Sequence, residues 1–239
     1  REQQIFVLVD PQQKIGDLNR ENNQVVAKIN IRPKSAQAID PTLAVKKLGP
    51  SRYQIGAVLV DTEIGTVSIP GQINIISQET ILEFFACTSR GKTHESLLMV
   101  EAEPIHIQLG LLRLNMNPGM NLIVQGDPHT PTGDPADIWV DWQRAGEIVR
   151  LRAEDLIWNA IDDRAMQKTN WIFTGARVKN NQFTAQLFHS IIALYRDPDA
   201  IMNHPLPSGV DDRTFRVNPS TIPAKGTSVT VTIQRIKDT

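Results

Sequence analysis

The chain has 239 residues, enough for one large domain or two small ones with a buried core. Hydrophobic residues make up 41% of it and charged residues 21%, a composition that excludes a disordered chain. Lysine and arginine number 25 against 26 aspartate and glutamate residues. The formal charge is therefore −1, and no basic stripe indicates a nucleic-acid partner.

The first 45 residues differ from the rest of the chain. They combine one apolar run, QIFVLVD, with polar and proline-containing stretches that lack strong periodicity. We expect an extended N-terminal arm over residues 1–45 and a single domain over residues 46–239. Because the sequence begins with arginine rather than methionine, we also expect any signal peptide or lipid anchor to lie upstream of it.

Short β-branched runs predict a sheet from Arg52 onward. The runs RYQIGAVLVD and TVSIPGQINII are joined by DTEIG, which is typical of a turn. TILEFFACTS and ESLLMVEA are joined by SRGKTH, which predicts a hairpin connection in which Gly91 adopts an unusual backbone angle. A further hairpin is expected over ADIWVDWQRAGEIVRLRAED, and further strands at MNLIVQGD, NWIFTGARV, NQFTAQLF, SIIALY and TSVTVTIQRI.

One long helix is predicted from Pro104 to about Asn115. Proline suits the first helical position, and the NPG sequence that follows is a stop signal. Apolar residues three or four positions apart predict a buried stripe formed by Ile105, Leu109 and Leu112. The predicted fold class is therefore α+β, a mostly antiparallel β-sheet with one long helix packed on it, plus the N-terminal arm.

The stretch TSRGKTHESLLMV concentrates reactive side chains immediately before an apolar run. A histidine beside a carboxylate and an ammonium group supplies the parts of an acid/base pair or an anion clamp. The start of the predicted helix would add free N–H groups that favour a carboxylate, phosphate or sulfate. The candidate binding residues are Lys92, His94, Glu95, Ser96 and His106. The structural alternative is that Lys92 and Glu95 pair on the surface while His94 bonds a backbone carbonyl.

Acidic residues near the end of the chain form a second candidate site. Asp197 and Asp199 lie on loop-like sequence, followed by Asp211 and Asp212, and clustered oxygen ligands suit calcium. Their spacing does not continue as an EF-hand loop. In the structural alternative, Asp197 caps a single helical turn, and Asp211 and Asp212 contact Arg213. We therefore predict no metal site and retain Asp197 and Asp199 as binding candidates.

Cys87 is the only cysteine in the chain. A single thiol excludes an internal disulfide, a cysteine-rich zinc site and an iron–sulfur cluster. It lies in the apolar run LEFFACTS, which predicts a buried, inert thiol. We expect no cofactor. No apolar run approaches the roughly 20 residues that span a bilayer, so no transmembrane segment is expected in this chain.

Four motifs occur in order along the chain: GK-x-HESL, A-x-P-x-H, W-x-FTG and IALY-x-DPDA. Together they resemble the YdjY-domain family of bacterial proteins over roughly residues 45 to 239. The resemblance implies an exported or lipid-anchored protein, located in the periplasm or cell envelope, without an established activity. It supplies no catalytic residues. Ala176 stands where the family pattern leads us to expect serine after FTG.

Three hypotheses about function follow. The favoured one is a non-enzymatic, extracytoplasmic module that binds an unknown small molecule or envelope partner. The second is a hydrolase or other acid/base enzyme, which should bring His94, Glu95 and His106 together in a concave pocket. The third is a structural domain of the cell envelope, which should show a large apolar patch.

Overall fold

The computed structural model describes residues 2–8, 24–30 and 45–236. The chain forms two compact units, Arg1–Pro41 and Thr42–Thr239. In the first unit, β1 (Glu2–Leu8) pairs antiparallel with β2 (Gln24–Asn30). The domain boundary after residue 45 stays a prediction.

The second unit consists mostly of β-strands. These are β3 (Val45–Lys47), β4 (Arg52–Ile55), β5 (Val58–Asp61), β6 (Thr66–Ile73), β7 (Phe84–Thr88), β8 (Ser96–Val100), β9 (Pro135–Arg144), β10 (Glu147–Arg152), β11 (Ile157–Asn159), β12 (Arg164–Ala165), β13 (Trp171–Phe173), β14 (Val178–Lys179), β15 (Gln182–Phe183), β16 (Ser190–Ala193), β17 (Met202–Asn203), β18 (Phe215–Val217) and β19 (Ser228–Arg235). Within residues 45–236 the α-helices are α1 (Pro104–Arg113) and α2 (Thr184–Phe188). No helix among the described residues is long and apolar enough to cross a membrane.

Eight strands close into a barrel. The hydrogen-bonded order is β9, β13, β17, β16, β7, β8, β6 and β19, and β19 pairs with β9 to complete the ring. The pairs β7–β8 and β16–β17 are parallel, and the other pairs in the ring are antiparallel. β10 extends the sheet from β9, while β5, β4 and β3 extend it from β6. Closure pairs the edges that an open sheet would expose.

Alternating apolar residues fill the core beneath these strands. β9 buries every second residue from Ala136 to Trp142, and β19 likewise buries Val229, Val231 and Ile233. These side chains belong to one continuous hydrophobic cluster that also contains the fully buried Trp171. Burial of a large aliphatic or aromatic side chain stabilises a fold by about 1.5–3 kcal/mol, so this cluster provides the main stabilising contribution.

The predicted α+β class is wrong. The chain is mostly β, and the longer α-helix among the described residues, α1, has ten residues and packs beside β5 and β6 of a closed sheet. Local sequence patterns predict strands from alternation, but closure depends on one C-terminal strand pairing with two distant ones. That pairing is not encoded in any local pattern.

The predicted buried stripe of the helix is also wrong. α1 buries Ile107 and Leu111, whereas Leu112 is 42% exposed. Both sets of apolar residues have helical spacing, so spacing alone could not choose between them. Gly110 lies on the buried face, where an added Cβ would be 3.3 Å from side-chain atoms of Val60 and Val67. The small residue thus marks the face that approaches the sheet.

Local predictions had mixed outcomes. The hairpin around residues 136–155 is confirmed as β9 and β10, with a tight turn at Ala145–Gly146. The run RYQIGAVLVD is two strands, β4 and β5, rather than one. MNLIVQGD is not a strand, and NQFTAQLF divides between β15 and helix α2.

Candidate functional site

The connection between β7 and β8 is not a hairpin, because the two strands run parallel. Phe84 pairs with Ser96 and Thr88 pairs with Val100, so residues 89–95 carry the chain back to the starting end. Gly91 does not have a positive φ, contrary to the prediction. Glycine is required there for close approach instead, since an added Cβ would lie 2.9 Å from the carbonyl oxygen of His189.

The strand β8 separates the predicted site residues into two groups. Lys92, His94 and Glu95 precede the first residue of β8, whereas His106 follows its last residue and lines a cleft with Val100. At about 3.3 Å per residue, the four steps along β8 separate these ends by roughly 13 Å. The structure therefore does not bring His94, Glu95 and His106 together.

Lys92 is held by carboxylates at the amino end of β7 and β8. Its Nζ lies 2.7 Å from Glu83 Oε2 and 2.7 Å from Glu95 Oε1, and 5.5 Å from the centroid of the Phe84 ring. Burial opposes the charge, but the two carboxylates outweigh it and raise the pKa of Lys92. The pairing of Lys92 with Glu95 agrees with the structural alternative, and it leaves this ammonium engaged by the protein itself.

His94 and Ser96 are not arranged for catalysis. The side chain of His94 is 79% exposed, and its Nε2 lies 3.9 Å from Glu95 Oε2, beyond hydrogen-bond reach. Ser96 is fully buried, and its hydroxyl donates to the carbonyl oxygen of Leu98 at 2.9 Å. A nucleophile must reach both a base and a substrate, and this hydroxyl reaches neither.

The two aspartates of the second candidate site have separate environments. Asp197 is buried, which raises the pKa of its carboxyl, and it accepts a hydrogen bond from the backbone N–H of Asp199 at 2.8 Å. Asp199 is paired with Arg177 at 2.8 Å. Asp211 is paired with Arg213, as the structural alternative proposed. Within residues 45–236, no group of three or more acidic, histidine or cysteine side chains is placed to hold a metal ion.

A cleft of about 340 Å³ opens at the carboxyl ends of β7 and β8. Its polar lining comes from the strand ends and the start of α1, and includes Thr88, Ser89, Arg90, Glu101, Glu103 and His106. Crevices at the carboxyl ends of parallel strands are common ligand sites in proteins with parallel sheets. The geometry here offers the same combination of strand ends and a helix start.

His106 forms part of the cleft lining, and one nitrogen of its ring lacks a hydrogen-bond partner among the described residues. The residue is 5% exposed, and its Nε2 is buried without a hydrogen-bond partner among the described residues. The ring packs so closely on Gly56 that a Cβ added there would lie 2.2 Å from Nδ1. Leaving a buried polar atom unpaired costs about 1–3 kcal/mol, so a ligand or water that reached Nε2 would recover that cost.

The first turn of α1 is already capped by the chain's own side chains. Arg90 Nη2 donates to both carboxylate oxygens of Glu103, at 2.5 and 2.6 Å, and Gln186 Nε2 donates to the same carboxylate. The backbone N–H of Ile105 donates to Gln186 Oε1 at 3.2 Å. The N–H group of Ile105, which an anion at this helix terminus would use, is therefore already bonded to Gln186.

Sequence reasoning identified His106 but missed its surroundings. Glu103 and Gln186 meet across 83 positions of sequence, and Gln186 fell in a run predicted to be a strand. Arg90 belongs to the polar stretch TSRGKTHES, but its ion-pair partner, Glu103, lies 13 positions later in the sequence. His189 also belongs to this region. Burial is the main cause that lowers the pKa of its imidazole, and the positive charge of Arg90 lowers it further.

The thiol of Cys87 should not react in the folded protein. Burial raises the pKa of this residue to about 11, and it is 1% exposed. Because the thiolate is the reactive form, we expect no labelling by a chromogenic disulfide reagent at pH 8. In denaturant, the same reagent should titrate one thiol per chain. Rapid labelling of native protein would contradict the predicted burial of Cys87.

Comparison with known proteins identifies one family. The model of the family described as YdjY domain matches residues 58–234, most of the chain, and confirms the resemblance carried by the four motifs. No curated protein and no solved structure matches significantly. All of the cleft residues except Ala57 lie inside the matched range.

Proposed function

Because the chain belongs to the YdjY domain family, we propose that it is a non-enzymatic, extracytoplasmic module that binds a small polar molecule in the cleft beside His106. The observation that carries this proposal is that a cleft of about 340 Å³ is lined by His106, whose buried Nε2 has no hydrogen-bond partner among the described residues. Open concave sites with a few convergent polar groups are the usual form of small-molecule sites.

The geometry supports binding better than acid/base catalysis. His94 is exposed, and the Glu95 carboxylate beside it is engaged by Lys92. Ser96 is buried, and its hydroxyl donates to the carbonyl oxygen of Leu98. The hypothesis of a hydrolase using His94 and Glu95 therefore gains no support from a specific contact, and that of a structural envelope domain stays a prediction.

The periplasmic or cell-envelope location rests on the resemblance to an exported family. Fractionation of cells that express the protein from its natural gene should recover it with periplasmic or membrane markers. Recovery of the mature protein with cytoplasmic markers alone would contradict this part of the proposal.

Filling the cleft tests the binding proposal directly. Ser89 is exposed and lines the cleft, so Ser89→Trp should block it without disturbing the core. The probes are n-butylamine, butyrate, 4-aminobutyrate, glucose and inorganic phosphate, measured by ligand-observed NMR. We expect at least one probe to bind the wild-type protein and to bind Ser89→Trp at least tenfold more weakly, the loss expected when contacts worth about 1.4 kcal/mol are removed.

The matched control is Ser77→Trp, which changes an exposed serine outside the cleft lining. Binding should survive this substitution, and both variants should keep the wild-type melting temperature within a few degrees. If no probe binds, or if binding persists in Ser89→Trp, the cleft is not the binding site and the proposed function fails.

A further inference from the structure

The charges around the cleft are unbalanced. Its charged side chains are one guanidinium, from Arg90, and two carboxylates, from Glu101 and Glu103. Arg90 and Glu103 form a close ion pair, which neutralises both. Glu101 is exposed and makes no ion pair within residues 45–236. The cleft therefore presents one uncompensated negative charge to a ligand.

An anionic ligand has no free donors at the adjoining helix terminus. The N–H groups of His106 and Ile107 donate to the carbonyl oxygen of Glu103, and that of Ile105 donates to Gln186. Pro104 has no N–H to offer. These contacts oppose the anion that the sequence pattern had suggested for this region.

We infer that the cleft takes a protonated primary amine as its ligand, an inference that rests on the proposed function. An ammonium group has three N–H donors and needs oxygen or nitrogen acceptors around it. The cleft offers the Glu101 carboxylate and the Ser89 hydroxyl oxygen. His106 belongs to the same lining, and its unpartnered Nε2 accepts when the neutral ring carries its proton on Nδ1. A hydrogen bond to an ionised carboxylate is roughly twice as strong as a neutral one.

The cleft walls also suit the aliphatic part of such a ligand. Ala57, Val100 and Ala102 contribute apolar surface beside the polar groups. Three probes with the same four-carbon skeleton distinguish the effect of the charged group from that of the alkyl group. n-Butylamine carries only the ammonium, butyrate carries only the carboxylate, and 4-aminobutyrate carries both. Affinity should fall in the order n-butylamine, 4-aminobutyrate, butyrate.

Glu101 provides the decisive variant. Because its side chain is exposed, Glu101→Gln should fold normally while losing the negative charge. Binding of n-butylamine, measured by ligand-observed NMR titration at pH 7, should weaken roughly tenfold, reflecting the loss of a charge-assisted hydrogen bond. Glu79→Gln, at an exposed glutamate outside the cleft lining, should leave the affinity unchanged.

The outcomes distinguish this inference from the function on which it rests. If butyrate binds in preference to n-butylamine and Ser89→Trp blocks it, the cleft is a binding site but the amine inference is overturned. If n-butylamine binds wild-type protein and Glu101→Gln equally, Glu101 does not recognise the ammonium and the inference is again overturned. If n-butylamine binding is lost only in Glu101→Gln and Ser89→Trp, the inference holds.

Discussion

Replacement of Leu111 by alanine should lower the free energy of unfolding by about 2–5 kcal/mol, through lost burial and the cavity left behind. Leu111 is fully buried on the face of α1 that packs against β5 and β6, and it belongs to the main hydrophobic cluster. Equilibrium unfolding in urea measures this difference in the free energy of unfolding. The slope of that free energy against urea concentration should be the same for both proteins.

Leu112→Ala is the matched control, because it removes the same atoms from the next residue of the same helix. Leu112 is 42% exposed, so the loss should be close to that of an ordinary surface substitution, about 0.5 kcal/mol. Equal losses from the two variants, or a larger loss from Leu112→Ala, would contradict the assignment of Leu111 rather than Leu112 to the buried face.

Acidification should destabilise the protein through His204. This residue is fully buried, and burial lowers the pKa of its imidazole from 6.5 to about 4. As the pH falls, the unfolded chain binds a proton at this residue before the folded protein does. Its contribution to stability is therefore complete above pH 6.5 and is lost between pH 6.5 and pH 4, by about 3 kcal/mol in total.

His204→Phe isolates this effect. The imidazole stands edge-on to Trp171 and Phe215, with ring centroids 5.7 and 5.3 Å away, and phenylalanine preserves an aromatic ring there. The variant loses the hydrogen bond between Nε2 and the carbonyl oxygen of Leu194, so it should be less stable at pH 7. Between pH 7 and pH 4, however, it should lose about 3 kcal/mol less than the wild-type protein.

Urea unfolding at pH 4, 5, 6 and 7 provides the comparison. The carboxyl of Asp197 acts in the opposite sense, since burial raises its pKa and its contribution to stability is lost as the pH rises. That contribution is present in both proteins and cancels in the difference. Identical pH dependence of the two proteins would show that His204 does not titrate as its burial requires.

Local elements were predictable where local sequence determines them. The β9–β10 hairpin follows from alternation around a tight turn, and both partners lie within twenty residues of sequence. The barrel was not predictable in this way. β19 was correctly predicted to be a strand, but its pairing with β6 joins residues such as Thr232 and Ser68, 164 positions apart. Closure is a property of that distant contact.

The candidate site did not assemble as one cluster because β8 lies between its residues in the chain. Parallel strands are usually joined by crossovers of about a dozen residues or more, so the short segment 89–95 predicts a hairpin rather than the parallel pair that forms. β8 carries the chain away from Lys92, His94 and Glu95, and the parallel pairing brings Arg90, just after β7, to the end where His106 lies. The motifs identified the correct residues but not which of them share a surface.

The most direct test of the central claim is to add a probe that binds and to follow the imidazole resonances of the protein by NMR. Long-range ¹H–¹⁵N NMR spectra can resolve the five histidines and report on each ring nitrogen. With whichever probe binds, we expect the Nε2 resonance of His106 to shift with occupancy while the resonances of exposed His94 stay unchanged. A shift at His94 without one at His106 would place the site at the amino end of β8 and contradict the assignment of function to the cleft.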